Sequence, residues 1–319
     1  MADSPTVSPD SPSPAMSEPA AAREFRTLDS RGLDHRLPPM RLWHKAKKIG
    51  IWDPQAIDFS QDRAHWQRLS PLEQRVILHQ TSLFQAGEES VTLDLLPLIQ
   101  AIAGEGRLEE EMFLTSFLWE EAKHVEAFDR FLTEVVVDRT DLAAFQGPCY
   151  EQIFHHELPT ALGALRDDPS PSAQAAASVT YNMIVEGVLA ETGYHAYAKM
   201  LQENGILPGM QTVVGHLKSD EARHLAYGVF LLSRLVAEHG DDLWQVVEAR
   251  MQELLPLALG VVQELFAEYP DPPFGLDVDE FVLFASMQFQ RRFQRIEKAR
   301  SQTLDEIYRL DDEQREVAA

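Results

Sequence analysis

Two short runs restrict this chain more than anything else in it: Glu121-Ala122-Lys123-His124 and Glu221-Ala222-Arg223-His224. In a helix a spacing of three puts both side chains on one face, so each run presents a carboxylate and an imidazole within reach of a single ion. One Glu-x-x-His is a weak signal, because two common residues often meet at this spacing. Here the company is unusual. Leu114, Phe117, Leu118, Val125, Phe128 and Leu132 share the face of Glu121 and His124, and Val214, Leu217, Leu225 and Leu232 share that of Glu221 and His224. The charges stand on apolar stripes, where a solvated helix face would not put them.

The same test applied upstream of each pair finds one more carboxylate. Glu88 aligns with Phe84, Val91 and Leu95, whereas Glu89 aligns with Gln85 and Thr92, so Glu88 is expected to face inward and Glu89 outward. Glu186 aligns with Val179, Met183, Leu189 and Ala190. The spacings repeat, with 33 residues from Glu88 to Glu121 and 35 from Glu186 to Glu221, each fitting one antiparallel helical hairpin. The 65 residues between Glu121 and Glu186 leave room for a longer crossover.

Helical patterns are predicted from Ser70-Pro71 through Leu98, then over 108–137, 172–204, 210–239, 241–269 and 278–300, with a short basic helix near Met40 to Ile49. Pro256 should kink or restart the fifth of these. No series of alternating strands is present, so the expected class is all-α: a four-helix bundle core with additional helices. The expected organisation is a disordered tail over 1–24, rich in Ser, Pro and Ala, one helical domain over 25–300, and a C-terminal tail over 301–319.

Four carboxylates and two imidazoles meeting in one core would repel one another and lack solvation, and two divalent cations remove the contradiction. Metal ligands are therefore expected at Glu88, Glu121, His124, Glu186, Glu221 and His224. Mixed oxygen and nitrogen ligation suits iron or manganese and leaves the choice among Mn/Fe and di-iron open. Lys123 and Arg223, each before a histidine, receive no role. Neither do Tyr194 and Tyr197, for which core packing is the expectation. The single cysteine, Cys149, excludes an intramolecular disulfide and structural zinc held by cysteines, and is read as a packing residue. A formal charge of −23 opposes nucleic acid or an anionic membrane as partner. The lack of an 18-residue apolar run or a basic leader gives a cytoplasmic expectation.

The ligand pattern resembles the ferritin-like di-metal carboxylate superfamily. More narrowly, the chain is similar to ligand-binding oxidases that resemble the ribonucleotide reductase small subunit. The supporting stretches are Phe25-Arg-Thr-Leu-Asp-Ser-Arg-Gly, Leu37-Pro-Pro-Met-Arg-Leu-Trp through Ile51-Trp-Asp-Pro, and Gly87-Glu-Glu-Ser-Val-Thr. The resemblance implies manganese at Glu88, Glu121 and His124, iron at Glu186, Glu221 and His224, and Glu121 bridging them. It also implies oxygen activation, a long-chain fatty acid at the metals, a homodimer, and an ether cross-link between Tyr181 and Val91. A Mn/Fe-type reductase small subunit is the enzyme alternative, weakened by Phe128 four residues after His124, where many such subunits carry a radical tyrosine. A metal-storage bundle is the non-enzyme alternative.

Overall fold

The computed structural model describes residues 25–309 apart from positions 29, 31, 138, 140 and 141; the expected tail over 1–24 and the last ten positions lie outside the described residues. The chain divides into two units, with the boundary between Asp34 and His35. In the first, Arg26–Leu28 forms one 3₁₀ turn, closed by the Leu28 amide donating to the Phe25 carbonyl.

The second unit is helical. Its helices are α1 (Pro38–Ile49), α2 (Ser60–Trp66), α3 (Pro71–Asp94), α4 (Leu96–Gly104), α5 (Leu108–Phe131), α6 (Pro148–Glu151), α7 (Leu158–Ala164), α8 (Pro171–Ser178), α9 (Glu191–Tyr197), α10 (Pro208–His239), α11 (Asp241–Ala267), α12 (Val278–Glu297) and α13 (Leu304–Arg309). No strand occurs among the described residues. The bundle core consists of α3, α5, α10 and the continuous rod from α8 through α9; α3 packs on α5, and α10 on the middle of the rod. Helices α11 and α12 cover that middle from another side, and α1 lies across α5 and α10.

Local chemistry explains the starts. Ser70 accepts from the Glu73 amide while the Glu73 carboxylate accepts from the Ser70 amide, and Pro71 takes the first-turn position where no donor is needed. Helix α10 begins differently. Leu207 at its N-cap has a left-handed φ of 52° and no capping group, and the carboxylate of Asp62 in α2 accepts from the amides of Gly209 (2.8 Å) and Met210 (2.9 Å) instead. Asp62 is fully buried. Asp62→Ala is expected to destabilise the protein by about 1–2 kcal/mol, the cost of removing such a cap. A urea midpoint equal to that of the wild type would show that this bond holds nothing.

The expected helices are present within a few residues at each end, with three differences. Helix α3 stops at Asp94 and a new helix starts at Leu96-Pro97. Helix α11 runs through Pro256 without being divided: Pro256 and Gln252, whose carbonyl loses its partner, are both exposed, so water can take that carbonyl. The rod is α-helical only at intervals, because Val179–Ala190 and Ala198–Gln202 are wound as π-helix. The crossover, unassigned from sequence, contains α6, a π segment over Gln152–Glu157, and α7. In the expected C-terminal tail, α13 places Ile307 in the core.

Close approach of α10 to the rod depends on Gly228. A Cβ there would stand 2.3 Å from the Asn182 Cβ, so only glycine allows the two helices this separation.

Candidate metal centre

The six residues expected as ligands come from the four core rods: Glu88 from α3, Glu121 and His124 from α5, Glu186 from the π segment, and Glu221 and His224 from α10. All six are buried, and Glu89 is exposed. They form two overlapping groups, each able to hold one ion. Glu88, Glu121, His124 and Glu221 offer ligand atoms within 4.8 Å of one another, and so do Glu121, Glu186, Glu221 and His224. Glu121 and Glu221 belong to both.

The imidazoles point consistently. Nδ1 of His124 lies 3.3 Å from Glu88, 3.4 Å from Glu121 and 3.6 Å from Glu221. Nδ1 of His224 lies 3.2 Å from Glu121, 3.4 Å from Glu221 and 3.7 Å from Glu186. Among the buried atoms without a hydrogen-bond partner are Glu121 Oε2, Glu186 Oε1, Glu221 Oε2 and His224 Nδ1. Buried polar atoms are rarely left so, and these four converge, which is the arrangement two cations would satisfy.

Electrostatics agree. Burial pushes Glu88 up to about 8 despite the nearby His124, and it raises Glu186 well above the carboxylate range with Glu221 adding to the effect. Burial also raises Glu221. Against its own burial, Glu121 is held low by the two histidines beside it and their charge. Burial opposes charging the histidines too, yet the surrounding carboxylates draw both well above the ordinary imidazole value. Without cations these groups favour their protonated forms, Glu121 excepted.

A layer of buried groups around the six was not assigned from sequence. Nε2 of His224 is 2.9 Å from Glu120, and Nε2 of His124 is 3.3 Å from Asp220. With Nδ1 given to a metal, each Nε2–H donates to its carboxylate, fixing tautomer and ring orientation. The pattern crosses over: the acid preceding Glu121 supports the histidine of α10, and the acid preceding Glu221 supports the histidine of α5. Arg223 joins the two acids, at 2.6 Å from Glu120 and 2.5 Å from Asp220, and Asp220 also accepts from Trp52 Nε1 (2.8 Å) and Lys123 (3.3 Å). Lys123 donates to the Gly50 carbonyl as well. Lys123 and Arg223, given no role above, are therefore buried parts of this layer. The available signal was an acid directly before each Glu-x-x-His. Asp220→Asn or Glu120→Gln is expected to weaken metal binding about 10–100-fold, the usual cost of losing such a partner. Competition against a chelator measures it, and unchanged affinity would assign these acids to folding alone.

Tyr181 donates to Glu121 Oε1 at 2.8 Å. Ser178 holds Asn182, which in turn donates to Glu186 Oε2 at 2.9 Å. Tyr197 bonds Thr81, and Tyr194 is buried against Phe84 without a hydroxyl partner, so neither bonds a member of the cluster. Phe128 stacks on Phe84 and Tyr197. Cys149 is remote in chemistry as well: burial and Glu264 push its thiol up to about 11, leaving it un-ionised.

A cavity of about 110 Å³ opens onto the cluster. Glu88, Glu121, Glu186 and Glu221 line it, and the rest of its wall is mainly apolar, including Phe84, Val91, Phe154 and Phe266. Val91 thus faces the cavity beside Glu88.

Comparisons with known proteins agree with this geometry. Residues 39–298 match the model of the family described as ribonucleotide reductase, small chain. Among solved structures, the chain is similar to an R2-like ligand-binding oxidase with aerobically reconstituted Mn/Fe cofactor, at 36% identity over 85% of this chain and 96% of that one, with a TM-score of 0.81. A tyrosine-to-phenylalanine variant of such an oxidase matches at 36% identity, over 85% and 97% of the two chains, with a TM-score of 0.82. A valine-to-leucine variant, anaerobically reconstituted with Mn/Fe, matches at 37% identity over the same shares with a TM-score of 0.80. The chain, a helical bundle of ferritin-like fold with a di-metal carboxylate cluster, belongs to the ribonucleotide reductase small chain family and stands within it among the R2-like ligand-binding oxidases.

Proposed function

We propose that this protein is an oxygen-activating oxidase that carries one manganese and one iron ion and receives a long-chain fatty acid, or a similar apolar acid, in its cavity. Glu88, Glu121 and His124 would hold manganese, and Glu186, Glu221 and His224 iron, with Glu121 bridging. The observation that carries the reading is the cavity, apolar along its wall and ending on the cluster. An acid headgroup would find cations there and its chain a dry surface.

Two metal ions of this kind supply the oxidising power to remove hydrogen from unactivated carbon when oxygen is present. The chain's own residues govern where that power goes. Asp220 and Glu120 hold the imidazoles in one tautomer, Asn182 orients Glu186, and the apolar wall excludes water. Val91 in the cavity wall and Tyr181 on Glu121 are the expected cross-link pair. Ether formation removes the tertiary hydrogen of valine and the phenolic hydrogen of tyrosine, and the two electrons pass to oxygen. Both are buried in the same apolar cluster, and Tyr181, kept un-ionised by burial and by Glu121, retains the proton the reaction removes.

Phe128 weighs against the reductase reading, since its position offers no phenol. The proposed protein acts in the cytoplasm, as a homodimer; among the described residues no helix is long and apolar enough to cross a membrane. The test is reconstitution with Mn(II), Fe(II) and oxygen, followed by elemental analysis, extraction of bound lipid, and mass spectrometry. One of each metal, an extracted fatty acid, and joined Val91 and Tyr181 peptides lighter by two hydrogens are expected. Binding of no transition metal would overturn the reading.

A further inference from the structure

Tyr227 lies three residues beyond His224 on α10, fully buried, and has no part in the cluster. Its hydroxyl donates to Glu110 Oε2 at 3.2 Å. Glu110 is itself buried, flanked by Arg107 at 3.5 Å and Arg234 at 3.6 Å. Aromatic rings join Tyr227 to the centre: its ring is 5.3 Å from Phe113, Phe113 is 6.0 Å from Phe117, and Phe117 lies 3.6 Å from the ring of His224. The series continues outward. Phe230 stands 6.2 Å from Tyr227 and 6.1 Å from Tyr308 on α13, a half-buried phenol.

A buried phenol that loses an electron must lose its proton as well, because an oxidised phenol that kept it would be an unpaired charge in a dry interior. It therefore needs a base at hydrogen-bond distance. Of the tyrosines around the centre, Tyr181 bonds a cluster carboxylate, Tyr197 a hydroxyl, Tyr150 a backbone carbonyl, and Tyr194 has no partner. Tyr227 alone among these has a carboxylate outside the cluster. Burial raises the proton affinity of that carboxylate, while the two arginines limit the rise.

We propose that Tyr227 is a reversible one-electron donor to the metal centre, an escape route for oxidising power that competes with oxidation of C–H bonds at the centre, Val91 included, when the cavity holds no ligand. The inference rests on the oxygen-activating reading above. In the forward step the Tyr227 O–H bond breaks, its proton goes to Glu110 and its electron travels past Phe113 and Phe117 to the oxygen-oxidised centre, leaving a neutral phenoxyl. In the return step a small one-electron reductant of the ascorbate class delivers an electron at Tyr308, and Glu110 gives the proton back to the Tyr227 oxygen.

The experiment loads the full chain with Mn(II) and Fe(II), adds oxygen without ligand, and freezes samples over time for electron paramagnetic resonance. Ring-deuterated tyrosine marks any phenoxyl signal by its altered hyperfine pattern. The wild type is expected to show a phenoxyl signal that ascorbate removes, and Tyr227→Phe, which keeps the ring packing, is expected to lose it while its metals still oxidise. Self-oxidation of residues at the centre, read by peptide mass, should rise several-fold in that variant. A phenoxyl signal that persists in Tyr227→Phe, or metal oxidation in the wild type with no phenoxyl, overturns the inference and leaves the oxidase reading standing. Metals that bind but never oxidise overturn both.

Discussion

Glu121→Ala is expected to leave the protein with neither metal ion, while Glu88→Ala or Glu186→Ala leaves about one per chain. The asymmetry follows from sharing. Glu121 belongs to both ligand groups, with its oxygens facing both histidines, whereas Glu88 and Glu186 each belong to one. Loss of Glu121 also strips the Tyr181 hydroxyl of its acceptor. Glu221 also stands within reach of both groups, so Glu221→Ala, which removes an iron ligand in the proposed assignment, should cost that ion and weaken the other. Elemental analysis after loading and desalting decides the matter. Retention of one ion by Glu121→Ala would mean that the two groups are independent sites. In the metal-free state the Glu121→Ala variant should melt somewhat lower than the wild type, because Glu121 is the carboxylate that both histidines hold ionised and that Tyr181 bonds. Its gain in thermal stability on adding metal should vanish.

Removing metal from the wild type should have the second large effect. Each ion held at 100 times its dissociation constant stabilises the folded state by about 2.7 kcal/mol, so two contribute about 5 kcal/mol. For a domain of this size that corresponds to a fall in melting temperature on the order of 10 °C after chelation.

The pH dependence should differ in sign between the two forms. In the metal-free protein Glu88, Glu186 and Glu221 bind protons more tightly folded than unfolded. Their contribution to stability is therefore complete below the ordinary value of 4.5 and is lost as pH rises, for Glu88 through about 8. The raised histidines act in the same direction. In the loaded protein the ions have displaced those protons, so metal affinity and the stability it confers rise with pH over the same interval. Melting curves of both forms between pH 5 and about 8 should diverge as pH rises. Calorimetry in buffers of different ionisation enthalpy should record proton release on binding. Parallel curves, or binding without proton release, would show that the cluster is already ionised when empty.

Much of the candidate site was legible in the sequence because it is written in helical period. A carboxylate on an apolar stripe is a local fact, and four of them with two histidines at repeating intervals select a bundle. Glu88 could be told from its neighbour Glu89 because one residue turns a helix position by about 100°. The acids at positions 120 and 220 were harder. Each looks like an ordinary charged neighbour on its own helix, and its meaning lies in a histidine about 100 residues away.

The sequence by itself determined the helical class, the bundle, the six inward side chains of the cluster and the turn chemistry at Ser70-Pro71, since all of these depend on residues within a few turns of one another. Tertiary structure alone decided the rest. It made Asp62 the cap for the Gly209 amide 147 residues later, wound the Glu186 segment as π-helix, brought Lys123 and Arg223 inside, and opened a cavity onto the carboxylates. Propensity carries no record of such contacts, because the free energy that selects them comes from burying one helix against another and from pairing charges that water no longer solvates.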